Sequence, residues 1–211
     1  MPTTVDDATI QRVTQAASEA SFLLDRGYPT KAVAAFVGEH RQLGPEEQRL
    51  LDANARLTAH LKHHIARELD PEDIAKRALE LDLDSLLAVI DAAAQGRLLL
   101  KSAAGLLMPV DETGEPSKAA VERCLDAVRS LRPKQVIAWS AGAVDEATVV
   151  AAAKKRKLAL RFERVEDRPA RGKNRHCLAS SDPEVVDVGA TWVNIAALAL
   201  EGLSPQTLEL S

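Results

Sequence analysis

The N-terminal third of the chain has a hydrophobic pattern of helical period. In residues 4–26, apolar side chains recur at spacings of three and four positions. A second helical stretch is predicted to end at Gly38, because glycine commonly closes a helix. A third begins at Pro45, with proline in its first turn, and is expected to run to about Leu69. Residues 1–75 are therefore predicted to form an all-helical domain.

The pattern changes over residues 77–95, where a strand pattern passes directly into a helix pattern. Apolar and polar residues first alternate with period two, which is typical of a half-buried strand. From Ser85 onward, apolar residues return to helical spacing, and Asp91 falls about two turns along that helix. The apolar side of the predicted strand comprises Leu79, Leu81 and Leu83, and the polar side comprises Glu80, Asp82 and Asp84.

The remaining sequence alternates short apolar runs with amphipathic helices. Such alternation is typical of an α/β domain of three layers, with a mostly parallel sheet between helices. Residues 76–211 are predicted to form this domain. The expected strands are two within residues 97–110 and one each at 135–139, 158–165 and 177–181, and the expected helices are 117–131, 144–155 and 191–200.

Asp82 and Asp84 are placed where the central strand is predicted to end and its helix to begin. Open α/β sheets bind ligands at the carboxyl ends of their strands, so a carboxylate there is a candidate metal ligand or acid–base group. Aspartate is also a common N-cap residue. The pattern alone supports both interpretations equally.

Composition narrows the function classes. Aromatic residues make up 3% of the chain and the net charge is −4, which argues against an aromatic base-stacking platform and against a generally basic nucleic-acid binder. The two cysteines are isolated, the N-terminus has no signal-type segment, and no apolar run approaches the length needed to cross a bilayer. We expect a cytoplasmic protein without a membrane association.

One segment is strongly basic. Residues 154–175 carry ten lysines and arginines against three acidic residues, so this segment is the natural place for phosphate groups to bind. The alternative is a solvated helix end followed by a loop. The residues expected to contact nucleic acid are Lys154, Lys155, Arg156, Lys157, Arg161, Arg171, Lys173 and Arg175.

Other motifs carry less information. His60 and His64 have the i, i+4 spacing of a zinc pair, but the sequence suggests no third ligand, and a polar helix surface explains them better. Ser140 lies in WSAGA, which lacks the GxSxG pattern of a hydrolase nucleophile. The chain has neither a GxGxxG motif nor a Walker lysine loop, so the sequence does not predict a nucleotide cofactor.

Two stretches resemble a known family. FLLDRGYPTKAVAAFVGEHRQLGPEEQRLL resembles the N-terminal signature of the family called domain of unknown function 434. The chain from Leu79 to WVN near residue 192 resembles the partner domain fused to it, which is similar in layout to PIN-type and NYN-type nucleases. The resemblance implies Mg²⁺ or Mn²⁺ held by acidic residues, and a metal-activated water that attacks a phosphodiester.

Carried onto this chain, the resemblance implies a set of acidic residues. A serine, Ser85, stands where the pattern has an asparagine, and the WSAGAV segment lacks an expected acid before Asp145. We therefore expect a nuclease acting on RNA or single-stranded nucleic acid. The alternative is a catalytically degenerate module that binds nucleic acid or a protein, and the helical unit could also mediate a homo-oligomer. The implied catalytic residues are Asp82, Asp91 and Asp182, and the implied metal ligands are Asp82, Asp84, Asp91, Asp182 and Asp187.

Overall fold

A computed structural model describes residues 6–59, 61–111, 114–164 and 176–210. Its helical part comprises α1 (Asp7–Leu24), α2 (Thr30–His40), α3 (Pro45–Thr58), α4 (Leu61–Arg67) and a 3₁₀ turn at Pro71–Ile74. The rest alternates strands and helices: β1 (Ala78–Asp82), α5 (Leu83–Ala94), β2 (Leu99–Lys101), β3 (Leu107–Pro109), α6 (Lys118–Ser130), β4 (Gln135–Ser140), α7 (Glu146–Lys155), β5 (Leu160–Arg164), β6 (His176–Ala179), α8 (Pro183–Val188), α9 (Ile195–Ala199) and β7 (Thr207–Leu208).

The predicted fold class is confirmed. A helical N-terminal region precedes an α/β region whose main sheet has the strand order β5-β4-β1-β6, with every neighbouring pair parallel. β1 is central: Leu79 lies opposite Val136 of β4 on one side and opposite Cys177 of β6 on the other. A smaller sheet, in the order β3-β2-β7, contains the two short strands expected within residues 97–110.

The main sheet is covered on both faces, but by different parts of the chain. On one face, Leu79 and Leu81 pack in a core cluster with residues of α5, α6, α7 and α9. On the other face, Trp139 of β4 and Leu178 of β6 belong to a second cluster that also contains Leu50 of α3. The helical N-terminal region is therefore the third layer of the α/β fold, and the two regions share a core.

The strand β1 is buried more completely than its alternating pattern predicted. Glu80 and Asp82, on the polar side, are 7% and 6% exposed. The expectation of a half-buried strand was wrong because a third layer covers this face and because hydrogen-bonding partners satisfy the carboxylates. His176 Nδ1, for example, lies 2.5 Å from Glu80 Oε1.

Several helix boundaries differ from the sequence expectation. α2 does not end at Gly38 but continues to His40. Gly38 is there because α2 passes close to α3 at this point, and a Cβ at residue 38 would collide with the Gln48 side chain. The helix expected to reach Leu69 is divided, because the backbone at Ala59 is extended. In the described part of the chain, no helix combines the length and the apolar character needed to span a membrane.

Candidate functional site

The candidate site lies at the carboxyl edge of the main sheet, between β1 and β6. After β1 the chain crosses to β4 on one side, whereas β6 is added on the other side, so the winding direction reverses between these two strands. In open α/β sheets, this reversal leaves a crevice at the strand ends, which is the usual place for a ligand. Asp82 is the last residue of β1, and Ser180, Ser181 and Asp182 directly follow β6.

Asp82 occupies the N-cap position of α5, but its carboxylate does not cap the helix. Its Oδ2 atom instead accepts hydrogen bonds from Ser85 Oγ at 2.9 Å and from Ser180 Oγ at 2.7 Å. The same two hydroxyls accept backbone N–H groups, Ser85 Oγ from Ser181 and Ser180 Oγ from Asp182, each at 2.9 Å. The network ties the end of β1 to the end of β6 and fixes the orientation of Asp82.

The electrostatic environment of Asp82 is unfavourable for a negative charge. Burial raises the pKa of its carboxyl group, and the two serine hydroxyls oppose that rise by stabilising the carboxylate. The nearby negative charge of Asp182 raises the pKa further. A buried carboxylate with a second acid beside it is an arrangement that a bound cation would relieve.

Asp182 lies at the mouth of a cleft between α3 and the carboxyl edge of the sheet, a cleft of about 580 Å³. As the N-cap of α8, it accepts the backbone N–H of Glu184 at 2.9 Å. Its Oδ1 atom also lies 3.4 Å from a guanidinium nitrogen of Arg56, which belongs to α3. The helical region therefore forms one wall of the candidate site.

Asp84 is near this site but is engaged with β4. Its two carboxylate oxygens accept the hydroxyl of Ser140 at 2.5 Å and the backbone N–H of Ala141 at 2.6 Å. Ser140 Oγ in turn accepts the N–H of Gly142 at 3.0 Å. Asp84 thus holds the end of β4 against the start of α5, and Ser140 is bound within that turn.

The other predicted acids are not brought to the cleft. Asp91 lies nine residues beyond Asp82, about 13.5 Å further along α5, where it accepts hydrogen bonds from Gln95 Nε2 at 2.7 Å and from the N–H of Ser117 at 3.4 Å. Asp187 faces α4, with its Oδ1 atom 3.8 Å from His63 Nδ1. Among the described residues, no group of three or more His, Cys, Asp or Glu side chains is arranged to hold a metal ion.

The predicted basic segment begins at the opposite edge of the sheet. α7 starts beside the carboxyl end of β4 and runs back, so Lys154 and Lys155 in its last turn lie at the amino edge. Arg156 is paired with Asp126 of α6 through contacts of 2.7 and 2.8 Å. Arg161 is paired with Glu163 on β5. Lys157 follows α7 at the same edge, and Arg171, Lys173 and Arg175 lie outside the described residues, as does His60.

Sequence reasoning missed the residues that complete the cleft. Arg49 and Arg56 of α3 face it, and Ser180 and Ser181 form the connection between β6 and α8. Ser181 directly precedes Asp182 in the Ser-Asp pair of the family pattern, but the sequence assigned it no role, and Ser180 gave no signal of its own. The arginines gave no signal of this kind, since a helix pattern does not reveal which distant element its charged face meets.

Part of the helical region matches the model of a known protein family. Residues 12–67 match the family model described as protein of unknown function (DUF434). The match spans α1 to α4, so it includes both cleft arginines, and it confirms the resemblance for this part of the chain. Comparisons with curated proteins and with solved structures each gave no match.

Proposed function

We propose that this chain is a PIN-like, divalent-metal-dependent nuclease that acts on RNA or single-stranded nucleic acid. Its site is the cleft between α3 and the carboxyl edge of the main sheet, at the ends of β1 and β6. The observation that carries the proposal is the linkage of Asp82 and Asp182 through the Ser180 hydroxyl, at the point where the winding of the sheet reverses. One carboxylate is buried and fixed by two hydroxyls, and the other lies at the mouth of the cleft.

The donor set fits one Mg²⁺ or Mn²⁺ ion that shares its coordination with the substrate. Magnesium in proteins is commonly bound through one or two carboxylates, and water and substrate phosphates supply the remaining oxygens. Asp82 and Asp182 provide such a pair, and burial raises the pKa of Asp82 although two serine hydroxyls stabilise its charged form. When bound, the ion would activate a water molecule and polarise the phosphodiester. Asp91 and Asp187 have no part in this arrangement.

The protein's own contribution is to orient the two acids. Ser85 and Ser180 hold Asp82 Oδ2 from two sides, and the N–H of Asp182 is bound by the Ser180 hydroxyl. The network therefore positions the carboxylate of Asp82 and the backbone of Asp182, and the Glu184 N–H holds the Asp182 carboxylate. Acids that are already positioned need little reorganisation when a ligand binds.

The second candidate function is a module on the same fold that binds nucleic acid and does not cleave it. It is favoured by the small number of implied metal ligands at the site. Asp182 lines the cleft and Asp82 is bonded to Ser85 in its lining. Asp91 lies far along α5, and both oxygens of Asp84 are bonded to Ser140 and Ala141. A weakened metal site would retain the cleft and lose the chemistry.

Calorimetric titration of Mn²⁺ tests the proposal. We expect weak binding to the free protein and tighter binding with a cleavage-resistant single-stranded oligonucleotide present, because substrate phosphates complete the coordination. Asp82→Asn and Asp182→Asn should abolish binding. Asp91→Asn is the matched control, because Asp91 is a buried acid of α5, the helix that Asp82 precedes. This variant should retain Mn²⁺ binding.

A cleavage assay on single-stranded RNA and DNA then separates the two functions. Hydrolysis that requires Mn²⁺ and fails in Asp82→Asn supports the nuclease. Oligonucleotide binding without cleavage identifies the non-catalytic module. Equal Mn²⁺ affinities in the wild type and in Asp82→Asn would refute the assignment of the metal site.

A further inference from the structure

The cleft beside Asp182 has one wall made by a helix of the N-terminal region. Arg49, Ala53 and Arg56 of α3 face Ser85, Ser181 and Asp182 across it. Arg49 and Arg56 are seven residues apart, which is two helical turns, so they share one face at an axial separation of about 10.5 Å. The wall therefore presents two guanidinium groups in a row above the candidate site.

Neither guanidinium is held strongly where it is. Arg49 lies 3.3 Å from Asp111, and Arg56 lies 3.4 Å from Asp182 and 3.9 Å from Glu184. The two arginine side chains are 58% and 43% exposed. Ion pairs between groups this exposed contribute little to stability, so both arginines can exchange their carboxylate partners for phosphate oxygens at small cost.

A buried hydroxyl on the opposite wall supports a ligand at this position. Ser181 is 3% exposed and lines the cleft, and its Oγ atom has no hydrogen-bond partner in the described residues. A buried hydroxyl without a partner is costly, and native structures usually satisfy it. An acceptor oxygen at the cleft floor would do so.

The charge balance of the cleft makes the expected binding depend on a cation. Arg49 and Arg56 are opposed by Asp52, Asp111 and Asp182, one carboxylate more than the number of guanidinium groups. These groups together repel a polyanion weakly. With the carboxylate of Asp82 included, the acids exceed the arginines by two, so one divalent ion at Asp82 and Asp182 neutralises the excess.

We propose that α3 is the phosphate-binding wall of the nucleic-acid site, with Arg49 and Arg56 contacting two phosphate groups of one single strand and Ser181 donating to a phosphate oxygen at the floor. The inference rests on the proposed function for the position of the cleft. It gives the helical region a direct part in binding the substrate, and it places the substrate away from Lys154 and Lys155 at the other edge of the sheet.

Fluorescence anisotropy with a phosphorothioate single strand of about ten nucleotides, in Mn²⁺, tests this wall. Arg49→Gln and Arg56→Gln should each weaken binding roughly fivefold and lower the slope of log affinity against log salt by about one. The matched control is the double variant Lys154→Gln with Lys155→Gln, which removes two charges at the opposite edge and should leave the affinity unchanged.

Asp111→Asn provides a gain-of-binding test. The substitution frees Arg49 from its carboxylate and removes one opposing charge, so we expect tighter binding. A purely structural role for the arginines predicts lower melting temperatures in the Gln variants with unaltered affinity and salt slope, and that result would overturn the inference. Oligonucleotide binding and RNA cleavage separate failure of this inference from failure of the proposed function. If Arg56→Gln cleaves RNA as well as the wild type does, the proposed function stands and the phosphate-binding role of α3 is refuted.

Discussion

The indole Nε1–H of Trp192 donates a hydrogen bond to the backbone carbonyl of His64 over 2.7 Å. Trp192 is fully buried, and its backbone continues the connection: its N–H donates to the Arg67 carbonyl, and its own carbonyl accepts the N–H of Leu69. Trp192, which lies between α8 and α9, thus makes three hydrogen bonds to α4 and to the residues directly after it. The helical region is attached to the α/β region through backbone as well as through the shared core.

Because of this attachment, the wild-type chain should unfold in a single transition. Trp192→Phe keeps most of the ring volume but removes the indole donor. The His64 carbonyl keeps the N–H of Glu68, so the loss should cost about 0.5–1.5 kcal/mol. Trp192→Ala removes the ring as well and should cost about 3–5 kcal/mol. Urea unfolding followed by circular dichroism and by tryptophan fluorescence checks this. Transitions of the wild type that do not coincide would show that the two regions unfold separately.

The stability of the protein should depend on pH through Asp82. Burial raises the pKa of this carboxyl group, so the folded state holds the proton more tightly than the unfolded chain does. Its stabilising contribution is fully present below the unfolded pKa and is lost as the pH rises through the folded pKa. Each pKa unit of difference corresponds to about 1.4 kcal/mol. Asp82→Asn should therefore be more stable than the wild type at pH 7 in EDTA and similar to it near about pH 3.

Thermal melts at neutral pH and near about pH 3 measure these differences, and Asp145 supplies a control of opposite sign. Its pKa is lowered because its carboxylate accepts the N–H and the hydroxyl of Thr148 at the start of α7. That contribution is present above the unfolded pKa and is lost as the pH falls, so Asp145→Asn should be less stable than the wild type at neutral pH. A wild type that is more stable than Asp82→Asn at pH 7 would contradict the assignment of Asp82.

The acid at the end of β1 was predictable from sequence, and its surroundings were not. Alternating Leu79, Glu80, Leu81 and Asp82 identified the strand. The change of period at Ser85 placed its end two residues too late, since α5 begins at Leu83. The pattern could not reveal that the polar side faces a third layer, because that layer comes from α1–α3, far away in the chain. Burial of Asp82 is therefore a consequence of tertiary packing.

Asp91 shows the same limit for a helix. Its spacing from Asp82 is compatible with many directions of α5, and sequence gives no means of choosing among them. In the structure, α5 runs away from the carboxyl edge of the sheet. Asp91, nine residues after Asp82, therefore lies at the N-terminus of α6, where it accepts the N–H of Ser117. Arg49 and Arg56 were missed for the converse reason, since only the packing of α3 brings them to the cleft.

Ser180 should be the most sensitive of the hydroxyl positions. It donates to Asp82 and accepts the N–H of Asp182, so Ser180→Ala leaves both groups with one partner fewer. We expect a loss of about 1–3 kcal/mol in the free energy of unfolding and a further rise in the pKa of Asp82. Ser130→Ala is the matched control, because the Ser130 hydroxyl bonds to the Ala127 carbonyl of its own helix, near the end of α6. Urea unfolding at pH 7 measures both, and equal effects would contradict a special role for Ser180.

Asp84 and Asp82 should respond differently to the same substitution, although both were predicted as metal ligands. The oxygens of Asp84 are committed to Ser140 and Ala141, so Asp84→Asn replaces one acceptor by an NH₂ group and should loosen the end of β4. We expect a lower melting temperature, corresponding to about 1–3 kcal/mol, with Mn²⁺ affinity retained. Asp82→Asn should show the reverse, losing Mn²⁺ affinity and gaining stability at pH 7. If Asp84→Asn abolishes Mn²⁺ binding at a temperature where it remains folded, Asp84 is a ligand and its bonds to β4 must open when the ion binds.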